Sequence, residues 1–153
     1  MFINNRRYKR RKDMFPRIAL LVGLALLLVA GIAAAQNSQN EKAAVASAEK
    51  WLTAVDKGKY ADSWQEAAAF FKNAVTKEQW KQSMLSFRKP LGRLVSRKVQ
   101  STLFKTSLPG APDGKYVVIT FQTVFENKVS AIETVTPMLD KDGAWRVSGY
   151  YIK

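Results

Sequence analysis

The chain has 153 residues and a formal net charge of +13, with 47% hydrophobic and 11% aromatic residues, a composition of folded rather than disordered proteins. It contains no cysteine and no histidine, which excludes disulfides, thiolate metal sites, cysteine lipidation and Ser-His-Asp or Cys-His catalysis. Any acid–base work falls to Asp, Glu, Lys or Tyr. No glycine-rich phosphate loop occurs and the acids show no metal-ligand spacing, so neither metal nor cofactor is expected.

In chain order, the first element is an export segment. Seven basic residues (Arg6, Arg7, Lys9, Arg10, Arg11, Lys12, Arg17) stand against one acid, Asp13; removing that +6 from +13 leaves +7 for the remainder. Ile18 to Ala35 then runs eighteen residues without a charge. As a helix this is roughly 27 Å, just short of the ~30 Å hydrocarbon core. The positive-inside rule keeps the basic prefix in the cytoplasm and exports the chain beyond the apolar run. Ala33-Ala34-Ala35 offers a cleavage site, with Gln36 as the new N-terminus. Residues 1–35 therefore read as a signal peptide or, uncleaved, as an N-terminal membrane anchor through 18–35. The short apolar run and the alanine-rich end favour cleavage. Both readings place the protein in the periplasm or on the outer face of the cytoplasmic membrane. Residues 36–41 read as a linker and 42–153 as a single domain.

Three helical patterns open that domain. Glu41 to Lys57 carries Ala44, Ala48, Trp51, Leu52 and Val55 on one stripe and stops at Gly58. Tyr60 to Lys72 places Trp64, Ala67, Ala68 and Phe71 on one side, and the short connection makes the pair antiparallel. Thr76 opens a third helix through the capping-box spacing Thr76-x-x-Gln79. Its stripe of Trp80, Met84 and Phe87 ends at Lys89-Pro90-Leu91-Gly92.

Four strand-like segments come next. Arg93 to Leu103 alternates imperfectly, with Val95, Val99 and Leu103 on one face. Leu108 to Gly114 (LPGAPDG) reads as a rigid hairpin connection rather than a polyproline ligand. Tyr116 to Asn127 alternates Val117, Ile119, Phe121 and Phe125 against polar neighbours. Lys128 to Leu139 comes after a tight turn at Asn127-Lys128. Asp140 to Gly143, too short for a calcium loop, turns into Ala144 to Ile152, with Trp145, Val147, Gly149 and Tyr151 sharing a face. Helices first and antiparallel strands after make an α+β fold, three helices packed on a four-stranded antiparallel sheet.

The runs WLTAVDKGKYADSWQEAAAFFK, FRKPLGRLVSRKV, LPGAPDGKYVVITFQTVFENK, ETV and DGAWRVSGYYIK stand in order from Trp51 to Lys153. In these blocks the chain resembles a bacterial family known as domain of unknown function 4019. The resemblance implies a small exported α+β protein with a cystatin-like or nuclear-transport-factor-2-like layout. It brings no activity, ligand or catalytic residue.

Two site candidates remain. Helices on a curved sheet can enclose an apolar pocket, which Trp51, Tyr60, Trp64, Trp80, Trp145 and Tyr150 could line, with Asp56, Asp62, Glu66 or Glu133 as its polar group. An isomerase- or lyase-like enzyme would pair such a carboxylate base with a tyrosine that stabilises an enolate. The bland alternative is that these aromatics are core and that Asp62 caps the second helix. The other candidate is basic: Arg88, Arg93 and Arg97, with Arg93 and Arg97 four apart on one strand face, could attract anions. Here the alternative is a solvated surface, with Arg93 or Arg97 pairing a core carboxylate. Without catalytic residues, the expected role is a binding or interaction module in the cell envelope. Its partner would be an envelope protein, an anionic envelope component or a small apolar ligand. Nucleic acid is disfavoured, because no aromatics interleave with the basic stretch.

Overall fold

The computed structural model describes the backbone of residues 14–153 and the side chains of residues 35–153. The expected export segment thus lies outside the described side chains, save for Ala35, which is exposed together with Gln36. Among the described residues no helix is long and apolar enough to cross a membrane. The chain divides into two units that part between Ser38 and Gln39. Helix α1 is assigned Met14–Asp56, so residues 36–41 are helical, where their polarity suggested a linker. That stretch holds no glycine or proline to stop a helix.

The unit from Gln39 onward is α+β. Helices α2 (Tyr60–Glu66), α3 (Ala69–Ala74) and α4 (Lys77–Ser83) precede strands β1 (Leu94–Lys105), β2 (Tyr116–Phe125), β3 (Lys128–Leu139) and β4 (Trp145–Ile152). The strands form an antiparallel sheet in the order β1-β2-β3-β4. The expected helix over Tyr60 to Lys72 is in fact two. Ala67 and Ala68 are extended, and the Ala68 N–H donates to Val147 O at 2.8 Å. At Ala68 a bond to β4 has replaced the helical one, while the Ala67 N–H donates to Trp64 O at 3.2 Å; both alanines are fully buried.

The capping box at Thr76 forms as its spacing predicts, with the Gln79 N–H donating to the Thr76 hydroxyl and the Thr76 N–H to the Gln79 side chain. Past α4, a π-helical turn spans Met84–Arg88 and a 3₁₀ turn spans Lys89–Leu91. The wider turn changes which residue faces inward. Trp80, Met84 and Arg88 are buried, and Phe87, expected on that stripe, is 72% exposed. Gly92 ends the segment at φ 77°, where an added Cβ would lie 3.0 Å from Glu126. Glycine alone fits there.

Two bulges in β1, between Leu94 and Ser96 and between Val99 and Ser101, rearrange the expected alternation. The core-side residues of β2, from Phe125 to Val117, sit opposite Leu94, Arg97, Val99, Thr102 and Phe104. Val95 and Leu103 are therefore not on the Val99 face. A third irregularity, at Thr136–Pro137, acts alike on β4. Trp145, Val147 and Tyr150 share the inner side, while Tyr151 is 56% exposed. The hairpin turn between β2 and β3 is Glu126-Asn127. Within the LPGAPDG connection, the Tyr116 hydroxyl donates to Pro112 O at 2.6 Å.

Thr76→Ala should remove one half of the capping box and lower stability by about 1 kcal/mol. Urea unfolding followed by tryptophan emission would measure it, and an unchanged midpoint would contradict the assignment.

Candidate functional site

The strongest feature of the inner face is a chain of buried and partly buried charges where apolar residues would be expected. Glu133 stands between Ala131 and Val135 on the core side of β3 and is fully buried. A buried, unpaired carboxylate would be strongly unfavourable. Glu133 is instead surrounded by donors. Arg97 Nε donates to Oε2 at 2.6 Å and Arg97 Nη2 to Oε1 at 3.1 Å. The Thr123 hydroxyl donates to Oε2 at 2.6 Å, and the Tyr150 phenol to Oε1 at 2.5 Å. The three other strands of the sheet all contribute, since Arg97, Thr123 and Tyr150 sit on β1, β2 and β4.

Arg97 also makes a two-pronged pair with Asp56, the last residue of α1, at 2.7 and 3.0 Å. Asp56 Oδ1 accepts from Arg88 Nη2 at 3.0 Å, and Arg88 Nη1 donates to Gly92 O at 2.7 Å. The Arg88 guanidinium lies 4.2 Å from the centre of the Phe125 ring, and its Nε, though buried, has no hydrogen-bond partner. Two arginines and two carboxylates balance formally. Burial alone would lower the Arg97 pKa, but the hydrogen bonds and charges of Asp56 and Glu133 prevail and hold it above the usual arginine value. Burial pushes the Tyr150 phenol far up, and the charge and hydrogen bond of Glu133 push it further against the opposing Arg88 and Arg97.

Tyr150 joins this chain to an aromatic cluster. Its ring centre is 5.4 Å from Trp51 and 6.2 Å from Trp80, both edge-on, and Trp51 lies 5.7 Å from Trp80. Buried Ser63 satisfies both indoles: its carbonyl accepts from Trp51 Nε1 at 2.7 Å and its hydroxyl from Trp80 Nε1 at 3.0 Å. The Trp64 indole donates to Val75 O at 2.7 Å. All six aromatics expected to line a pocket, Trp51, Tyr60, Trp64, Trp80, Trp145 and Tyr150, belong to one packed core. Three of them also line hollows, Trp51 and Trp145 together with Glu66 and Tyr60 together with Asp62.

Three grooves open on the surface of the described residues. One of about 320 Å³ lies beside Trp51, Trp145 and Glu66; one of about 450 Å³ beside Tyr60 and Asp62; one of about 550 Å³ beside Phe70, Met138 and Arg146. None of the three is lined by Glu133, Asp56, Arg97 or Tyr150. Asp62 does not cap α2, which starts at Tyr60 without a side-chain cap; it lies in the first helical turn.

The three arginines do not form one patch. Arg88, which is buried, and Arg97, which is partly buried, belong to the charge chain, whereas the Arg93 side chain is 88% exposed and pairs with Glu126 at 3.2 Å. Arg93 precedes β1 and the first bulge intervenes, so spacing by four does not put it beside Arg97. At the last hairpin, Arg146 donates to Asp140 and Asp142. Its hydrogen bond, then one from the Ala144 N–H, lowers Asp142 to about 2. Among the described residues no group of three or more acidic side chains is placed to hold a metal ion.

A family model described as "Protein of unknown function (DUF4019)" matches residues 47–150, more than half of the chain, and the chain belongs to that family. The matched segment contains the whole Arg88–Asp56–Arg97–Glu133–Tyr150 chain. No curated protein matches this sequence.

A raised tyrosine pKa favours the neutral phenol in the folded state. Its stabilisation is complete below the unfolded value near ~10 and is lost as pH rises through the folded value. In an alkaline titration followed at the phenolate absorbance, the difference between wild type and Tyr150→Phe should show no ionisation until the protein unfolds. A reversible step near pH ~10 in the folded state would contradict this.

Proposed function

We propose that this chain is an exported, non-enzymatic binding module of the cell envelope, positioned in the periplasm or on the outer face of the cytoplasmic membrane. The observation that carries the non-enzymatic part is the saturation of Glu133. A carboxylate offers about four lone-pair positions, and Arg97, Thr123 and Tyr150 donate to Glu133 four times. No position is left to accept a proton from a substrate. The Tyr150 proton is held by the same carboxylate, so the phenol has none to offer a developing enolate oxygen. The rival reading, a carboxylate- and tyrosine-dependent isomerase or lyase, finds its pair of residues here, but neither Glu133 nor Tyr150 lines any of the three grooves described.

Export is supported by the basic prefix, the uncharged run over 18–35 and the small residues before Gln36. The helices-first order and the meander sheet are compatible with a cystatin-like or nuclear-transport-factor-2-like layout. Binding is supported by the open grooves and by +7 of net charge carried beyond residue 35.

Native mass spectrometry of the protein recovered from fractionated cells tests this reading. The expected result is an envelope-fraction species, cleaved before Gln36 or intact, that carries a partner or ligand. A bare full-length chain in the cytosolic fraction would contradict it. Planar phenols that imitate an enolate are expected to leave tryptophan emission unchanged. Saturable quenching that disappears in Glu133→Gln would favour the enzyme instead.

A further inference from the structure

The positive charge of the folded unit is divided by residue type. Its four arginines, Arg88, Arg93, Arg97 and Arg146, are each paired with a carboxylate. Its uncommitted charge is therefore carried by lysine. Three of these lysines meet in one place: Lys59, Lys81 and Lys89 line the groove of about 450 Å³. None of the three forms an ion pair with a described carboxylate.

The fold brings them together from separate elements. Lys59 precedes α2, Lys81 lies on α4, and Lys89 comes just after the π turn. Between them the groove is apolar: the nearly buried Tyr60 and the 40% exposed Leu85 line it, and Asp62 is its single acid. Three cations around an apolar floor suit an anion that carries hydrocarbon.

We propose that this groove docks the domain on a bilayer through the anionic headgroups of its phospholipids, with the three lysines on the phosphates and Leu85 at the acyl boundary. Lysine suits this role because its flexible, point-like ammonium can track mobile phosphates, whereas arginine favours fixed two-pronged partners. Attraction to an anionic leaflet is a sum over basic residues near the surface. A protein partner is disfavoured by size: eight residues line the groove, against roughly 20–30 a side in a stable protein interface. The inference rests on the envelope reading, because a cytosolic protein would meet a different leaflet.

The absence of cysteine makes the test direct, since Leu85→Cys gives the full chain a single labelling site. The labelled chain is reconstituted with vesicles of zwitterionic lipid alone or with added anionic phospholipid. The expected result is a blue-shifted, brighter dye in anionic vesicles only, reversed by salt. Lys81→Glu with Lys89→Glu should weaken the response about tenfold or more. The same charge change at Lys98 and Lys105, exposed on β1 outside the groove, should weaken it much less. A dye on Gln122→Cys, exposed on β2, should not respond. Equal emission in both vesicles, or equal effects of the two lysine pairs, overturns the proposal. So does an equal shift with soluble glycerol phosphate alone, which would make a free anion the occupant. Cell fractionation reports the envelope reading separately, so each can fail without the other.

Discussion

The fold of this domain turns on Arg97 and the two carboxylates that hold it. Asp56 ends a helix and Glu133 stands in the middle of a sheet; one guanidinium reaches both with four hydrogen bonds. The planar fork of arginine permits this, since a lysine could not satisfy two carboxylates in fixed geometry. The arrangement fixes the end of α1 against β1 and β3. Arg88 extends it to the π turn, and Thr123 and Tyr150 extend it to β2 and β4. Every strand of the sheet thus contributes to one polar cluster. With no disulfide possible, a directional link of this kind gives the helices a defined register on the sheet, which apolar packing alone specifies less sharply.

For function, the consequence is first chemical: among the described residues the carboxylate that a tyrosine hydrogen-bonds, Glu133, is consumed by structural donors, and the aromatic cluster packs edge-on against itself. It is also electrostatic. The arginines are neutralised inside the fold or at its hairpins, so the net positive charge presented to a partner comes from lysines. A high total charge therefore says little about the arginine-rich stretch and more about where uncommitted lysines gather, beside Tyr60 and Leu85.

Much of the architecture was legible in the sequence. The helical stripe ending at Gly58, the Thr76-x-x-Gln79 cap, the alternation over β2 and the helices-before-strands order all have local causes, and local causes leave local patterns. The errors cluster where backbone irregularity shifts a periodicity. The π turn moved the inward position from Phe87 to Arg88. Two bulges separated Val95 and Leu103 from the Val99 face, and one more exchanged Tyr151 for Tyr150. A tertiary bond to Val147 O split the helix expected through Ala67-Ala68. The pairing of Arg97 with a core carboxylate was legible as the alternative to an anion site, but the full charge chain was not, because its members are scattered from residue 56 to residue 150. A signal existed nonetheless: Thr123 and Glu133 occupy core-facing positions on neighbouring, otherwise apolar strands, and buried polar residues require partners.

Arg97 is the keystone between helix and sheet. Equilibrium urea unfolding of Arg97→Met tests this most directly, because the change keeps apolar bulk and leaves buried Glu133 and partly buried Asp56 without their shared cation. The expected loss is about 3–5 kcal/mol, as for the breaking of a buried ion pair. A loss under about 1 kcal/mol, the scale of an exposed pair, would contradict it.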